Sequence, residues 1–310
     1  MPGVTILEAI LLAVIQGIFM FFPVSSTSHL VLVQHWLIGR GSEIPSPESP
    51  AMILFDLIVH VGTLVSIAVV FRVSLGRYLS RVWSDAQRVL HRQKGVFEPL
   101  HLRLTMLGLL SFFVTGVVGL TAKPLFEKGF AHPLAISGTL AITGALLYFT
   151  DTVGRRPRGL REITVLMAVV IGLAQAMALV PGFSRSGLTI AIALYLGLKR
   201  RWAAEYSFFL AFPTILAATA VQTLQLDADD LSAVVGMIGP LVVAFIVSAA
   251  VGIVALQLVL VLLYRARFRY FAYYVWVLAV VVAIASLTGR IGPDFFKDGE
   301  PPVADVEFAD

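Results

Sequence analysis

The chain has 310 residues, of which 58% are hydrophobic and only 14% charged, with a formal net charge of +4 and a mean hydropathy of +0.89. A soluble domain carries about a quarter charged residues, so a soluble fold is excluded. The cations fall between long apolar runs and form no nucleic-acid-binding face, so no nucleic-acid partner is expected. The absence of cysteine rules out disulfides and thiolate metal sites.

Several apolar runs exceed the roughly 18–20 residues that a helix needs to cross about 30 Å of hydrocarbon. Backbone in lipid must satisfy its own hydrogen bonds, and the runs lack the period-two alternation of a barrel, so they read as helices. The first, about 4–22, follows Met-Pro-Gly-Val-Thr with no basic segment and is not read as a cleaved signal peptide. It breaks at Pro23-Val24-Ser25-Ser26-Thr27-Ser28 and resumes from His29 to Gly39. A full span is predicted at 53–71, a basic connection over 72–103, and further spans at 102–122 and 132–150. A second interrupted run covers about 163–180, breaks at Pro181-Gly182-Phe183-Ser184-Arg185-Ser186-Gly187, and resumes to Leu198. Spans at 204–224, 234–263 and 271–288 and an acidic tail at 289–310 complete the chain. Each resumed piece has about 11 residues, or roughly 17 Å at 1.5 Å per residue, too short to span. Both interrupted runs therefore read as re-entrant hairpins. The expected fold is an all-α polytopic membrane protein, one membrane domain over 1–310, with six full transmembrane helices and two re-entrant helical hairpins.

Charge orders this topology. Arginine and lysine gather at 72–103 (Arg72 to Arg103, with Arg92 and Lys94), at Arg155, Arg156, Arg158 and Arg161, at Lys199-Arg200-Arg201, and at Arg265, Arg267 and Arg269. Acids gather in the alternate loops: Glu43 and Glu48, then Asp227, Asp229 and Asp230, then the tail. Lys123 and Lys128, against Glu127, are the one departure. By the positive-inside rule the basic side is cytoplasmic, and both termini face the other side. Hairpin one then enters from outside and hairpin two from inside. Gln16…Pro23-x-Ser25-Ser26 is loosely matched by Gln175…Pro181-x-x-Ser184, and Phe55…Gly62-Thr63 by Phe208…Pro213-Thr214. Two such units, about 1–122 and 132–288, make an inverted-topology repeat, whose site is expected near the midplane where the broken helices meet.

The tips carry the polar chemistry. Tip one offers Ser25, Ser26, Thr27, Ser28 and His29; tip two offers Ser184, Arg185 and Ser186. An arginine at membrane depth costs at least about 2.5 kcal/mol, so it has a partner or a task. Here it opens a short helix beside capping serines, where free N–H groups and the helix dipole favour an anion, and a guanidinium grips phosphate with two hydrogen bonds. The structural alternative is that proline and serine only cap the breaks while Arg185 pairs with an acid. Ser26 or Thr27 with His29 is a candidate nucleophile–base pair, though a lone histidine beside a helix start is often only a hydrogen-bonding residue. Asp56 and His60, four apart on one helical face, either pair with each other or line the cavity. Glu8 reads as interfacial, and Trp83 and Tyr270 to Trp276 read as interface anchors.

At these residues the sequence resembles the undecaprenyl-diphosphate phosphatase family, also known from bacitracin resistance. The resemblance rests on Pro23-Val24-Ser25-Ser26-Thr27-Ser28-His29, on Phe55-Asp56…Gly62-Thr63, on Ala174-Gln175 through Pro181-Gly182-Phe183-Ser184-Arg185-Ser186-Gly187, and on Glu205-Tyr206-Ser207-Phe208. It implies inverted repeats with re-entrant helices in the bacterial inner membrane, and a site open to the periplasm. It also implies removal of the terminal phosphate from the C55 isoprenyl diphosphate carrier, which returns the monophosphate to cell-wall assembly. Carried over by position, Ser26, Thr27, His29 and Arg185 form the catalytic group, while Gln16, Met20, Ser25, Ser184 and Ser186 bind substrate. The nucleophile stays open between Ser26, His29 and a water. No residue is assigned to a metal; the cofactor expected is a divalent cation, Mg²⁺ or Ca²⁺. The expected partners are the polyprenyl diphosphate lipid, the membrane and, as an assembly, a homodimer. The family carries Glu or Gln, three residues, then Glu before the first break, and this chain has Gln16 and Met20. A thioether is a poor base and a poor ligand for a hard cation. Three readings follow: a phosphatase that has replaced the carboxylate, with Glu8 or Asp56 as substitutes; a binding or flipping protein for polyprenyl phosphates; and a small-anion transporter.

Overall fold

The computed structural model describes residues 3–47, 49–91, 99–130, 133–152, 154, 156–180, 182–224, 235–265 and 267–288. The acidic tail, Glu48, Asp227, Asp229, Asp230, Arg92, Lys94, Arg155 and Pro181, and the side chains of Lys123, Glu127 and Lys128, lie outside the described residues. Those described form eleven α-helices and one short 3₁₀ turn, Leu160–Glu162. The helices are α1 (Ile6–Phe19), α2 (Ser26–Gly39), α3 (Pro50–Val70), α4 (Arg72–Leu90), α5 (Leu100–Phe130), α6 (Pro133–Thr150), α7 (Val165–Met177), α8 (Arg185–Tyr195), α9 (Arg200–Thr223), α10 (Ile238–Tyr264) and α11 (Arg269–Leu287).

Local chemistry sets several of these boundaries. Thr5 and Glu8 form a reciprocal capping box at α1, and Ser49 caps α3 with Pro50 in its first turn. Thr164 caps α7 and Ser184 caps α8. Five helices are long and apolar enough to cross a bilayer: α3, α5, α9, α10 and α11. Side chains such as Leu7, Leu120, Val277 and Leu287 stand more than 60% exposed, as a hydrocarbon solvent permits. The protein is therefore a polytopic, all-helical membrane protein.

The 72–103 stretch, expected as a basic connection, contains a 19-residue helix, α4. It is amphipathic: Leu75, Tyr78, Leu79, Val82 and Trp83 share one face, and Arg77, Arg81 and Arg88 the other. Asp85 fastens it by accepting from the backbone N–H of His101 at 2.8 Å, which satisfies a free donor in the first turn of α5.

Packing crosses between the halves of the chain where α1 and α3 pack on α10 and α7 packs on α5; within the second half, α6 packs on α11. Small residues permit close approach. A Cβ at Gly62 would lie 2.7 Å from the carbonyl oxygen of Phe245, and one at Gly172 2.6 Å from that of Ser111. The larger core cluster joins Phe21, Phe208, Leu256 and Phe271; a smaller one joins Leu12, Leu30, Met52 and Phe55.

Candidate functional site

The two breaks in the apolar runs meet. A cavity of about 210 Å³ is lined by Met20, Ser25, Ser26 and Thr27 from the first break, and by Phe183, Ser184, Arg185 and Ser186 from the second. Leu57 and His60 of α3 and Thr214 and Ile215 of α9 complete its wall.

Tip two is built in relaxed geometry. Gly182 has φ +92°, and a Cβ there would sit 2.8 Å from the carbonyl oxygen of Ile136, so the turn needs glycine twice over. The Ser184 hydroxyl accepts from the N–H of Gly187 at 3.1 Å and lies 3.4 Å from the Ser186 hydroxyl. Arg185 then opens α8 with its guanidinium in the cavity. Its Nη2 donates to the Met20 thioether at 3.4 Å. No described carboxylate pairs with it, so the alternative of an acid partner is not what the structure contains.

Tip one is different. Ser25 is the one described non-glycine residue with positive φ, +67°, and its side chain does not cap α2. Its hydroxyl lies 2.9 Å from that of Ser28. The first turn of α2 thus presents Ser26 and Thr27 to the cavity with its N–H groups uncapped by a side chain. Gln16 is fully buried behind this tip: Nε2 donates to the Met20 sulfur at 3.5 Å, and Oε1 has no partner. Met20 therefore sits between Gln16 and Arg185.

The histidines divide in a way that sequence order does not suggest. The Nδ1 of His29 is 2.8 Å from the Ser25 carbonyl oxygen and its Nε2 is 2.7 Å from the Tyr274 hydroxyl. A carbonyl only accepts, so Nδ1 carries the proton; in the neutral ring Nε2 accepts from the tyrosine. The ring stacks on Phe19 at 4.0 Å, and Phe19, not His29, faces the cavity. The expected pairing of His29 with Ser26 or Thr27 is not formed. His60 does line the cavity. Its Nδ1 donates to the Asp56 carbonyl oxygen at 2.6 Å, which leaves Nε2 as an acceptor.

Neither proposed substitute carboxylate reaches this cavity. Asp56 accepts from Gln34 at 3.0 Å, and Glu8 is held by Thr5 and Ser42. The lining contains no carboxylate, and among the described residues no group of three or more His, Cys, Asp or Glu is placed to hold a metal ion. Hydroxyls, one imidazole, one thioether and one guanidinium suit a phosphate-like anion and do not suit a hard divalent cation. Of the residues expected at the site, the cavity gathers Met20, Ser25, Ser26, Thr27, Ser184, Arg185 and Ser186, and leaves Gln16 and His29 behind its wall. Tyr274, read from sequence as an interface anchor, holds His29; Thr214, which receives Gln175 Nε2 at 2.9 Å, stands in the wall.

Fold and cavity together define a polytopic helical membrane protein with a part-buried arginine where two breaks between helices meet. The family model for the bacitracin resistance protein BacA matches residues 9–281. Curated relatives named undecaprenyl-diphosphatase include one from Alkalilimnicola ehrlichii, 56% identical over 89% of this chain and 94% of its own length. Another, from Halorhodospira halophila, is 53% identical over 89% and 96%, and one from Carboxydothermus hydrogenoformans is 32% identical over 91% and 98%. The chain belongs to the BacA family.

Proposed function

We propose that this protein hydrolyses undecaprenyl diphosphate to the monophosphate and inorganic phosphate, in the cavity between the two helix breaks. The observation that carries the reading is Arg185: a guanidinium without a carboxylate partner among the described residues, facing two serine-bearing helix starts across one small cavity. Arg185 and the N-terminal turn of α8 bind the diphosphate and stabilise charge as the anhydride P–O bond breaks. A water beside Ser26 and Thr27 attacks the terminal phosphorus, or one of those hydroxyls does so and water then cleaves the phosphoester it forms; His60 Nε2 takes the proton, and the lipid monophosphate leaves with the bridging oxygen. His29 shapes tip one from behind through Ser25 and Phe19. The lining lacks a carboxylate, so the cavity residues would not by themselves hold a Mg²⁺ or Ca²⁺ ion, and no step is assigned to one.

The same reading covers topology. α1–α2 and α7–α8 are re-entrant hairpins, α6 is the sixth full span, and the halves 1–122 and 132–288 are inverted repeats. The packing of α1 on α10 and of α7 on α5 supports this, since it recurs when the halves are exchanged. Leu57 and His60 come from the first half of α3 and Thr214 and Ile215 from the last half of α9, so the cavity lies toward the side opposite the arginines. In the bacterial inner membrane that side is the periplasm, and both termini are there.

Met20 favours a second reading, a protein that binds or flips the polyprenyl phosphate without turnover. Its thioether stands between Gln16 and Arg185, where a carboxylate would supply a base. Phosphate release from undecaprenyl diphosphate, measured with and without Mg²⁺ or Ca²⁺ beside a Met20→Glu variant, separates the two. Release by the parent supports hydrolysis. A silent parent that still binds the lipid, with release gained in Met20→Glu, replaces the first reading with the second.

A further inference from the structure

A second cavity lies away from this site. About 390 Å³ in volume, it is bounded by α4, α5 and α9 and walled by Leu75, Leu79, Leu109, Phe209, Leu210 and Phe212. On α9 its residues are centred opposite those of the first cavity, so the helix separates the two. Leu79 and Leu109 are 56% and 41% exposed, which leaves the flank of the groove open to the surrounding hydrocarbon. Glu205, its one acid, is bonded to Arg201 at 2.8 Å.

The end of the groove toward the basic clusters has a cationic rim drawn from three segments. Arg201 is held at Glu205, Arg161 follows the lining residue Leu160, and Arg103 precedes the lining residue Leu104. All three are exposed. Arg103 also donates to the carbonyls of Arg161 and Ile163, at 3.2 and 2.7 Å, which ties the rim together. α4 lies alongside with its own arginines on the face away from the groove.

We propose that this groove holds one acyl chain of an anionic phospholipid, with the headgroup phosphate on the rim formed by Arg103, Arg161 and Arg201. An apolar cavity stays dry and takes hydrocarbon, and basic residues at a membrane surface select anionic headgroups. Charge complementarity at one end and an apolar wall along the rest fix both the occupant and its orientation.

The structure supplies a plug. Gly108 lines the groove, and a Cβ built there meets nothing within 4 Å, so the side chain of Gly108→Phe starts in open space and enters the groove. Native mass spectrometry of the full chain in detergent, titrated with phosphatidylglycerol or phosphatidylcholine of identical chains, reads the outcome. The parent should retain phosphatidylglycerol at least about fivefold more tightly, the effect of roughly one arginine. Gly108→Phe should weaken both lipids about tenfold or more, while phosphate release from undecaprenyl diphosphate stays unchanged. Arg161→Gln, combined with Arg201→Gln and Glu205→Gln, should remove the preference for phosphatidylglycerol and keep binding of the chain. Equal retention in Gly108→Phe, or a preference unaltered by the arginine changes, would overturn the proposal. So would displacement by a polyprenyl phosphate at lower concentration than phosphatidylglycerol, or a dimer that Gly108→Phe dissociates, since each assigns the groove to another occupant.

Discussion

The two helix breaks meet at one cavity but are built in opposite ways. Tip two has a Ser184 cap with ordinary extended backbone, a glycine where the turn demands one, and a guanidinium fixed at the first position of α8. Tip one has a serine in the left-handed region, a helix start without a side-chain cap, and hydroxyls that face the cavity. A non-glycine residue held there costs roughly 1–3 kcal/mol and persists only where its surroundings over-determine it. Here the constraint is visible: the Ser25 carbonyl is bonded to His29, and His29 is bonded to Tyr274 of α11. The difference assigns labour. On the proposed reading tip two is the cradle for charge, and tip one is the side where a reactive oxygen is presented.

That division is broken most directly at Arg185. Arg185→Ala should abolish diphosphate binding and lower kcat/KM by about 10²–10³-fold or more, checked by phosphate release and by binding of the lipid in detergent. Arg185→Lys should recover only part of it, because an ammonium cannot reproduce the bidentate contact. Survival of full binding in Arg185→Ala would mean that tip two is not the cradle.

His60→Gln should lower kcat by about 10²–10⁴-fold with little change in lipid binding, as expected for a proton acceptor. Tyr274→Phe, which removes only the donor to His29, should cost about 1 kcal/mol of stability and less than tenfold in rate. If the two variants trade places, the base is His29, and tip one opens further during turnover than in this structure.

The smallest effects compare the caps. Ser184→Ala should lower stability by about 1 kcal/mol and appear as a reduced Tm in a thermal melt. Ser25→Gly removes a strained backbone and should raise the Tm while lowering kcat. A fall in both would show that the Ser25 hydroxyl, and not the backbone, holds the tip.

What sequence order could and could not reveal follows from the range of the interactions. That the two runs break was legible, because a polar segment bearing proline or glycine interrupts a helix that lipid otherwise demands; the bounds were not, since the helices resume at Ser26 and Arg185, within the polar segments expected at 23–28 and 181–187. Arg185 marks itself by its cost in hydrocarbon. α4 was hidden because its arginines dominate the count, although Leu75, Tyr78, Leu79, Val82 and Trp83 recur at helical spacing. The exchange of roles between His29 and His60 was not legible. Ser26 and His29 are close in sequence and suggest a pair, but the orientation of the His29 ring is set by Tyr274, 245 residues away. No local pattern encodes that contact.

The cross-packing of the halves also has a consequence in time. Gly17 of α1 lies close against Ser248 and Val251 of α10, residues made more than 200 positions later. At roughly 5–20 residues per second, α1 and α2 wait on the order of tens of seconds in the bilayer before the surface that buries them exists. α1 and α2 are thus completed only once α10, far later in the chain, has been made. A ribosome that stalls in the second half leaves behind a polar loop that quality-control proteases can read as unfinished.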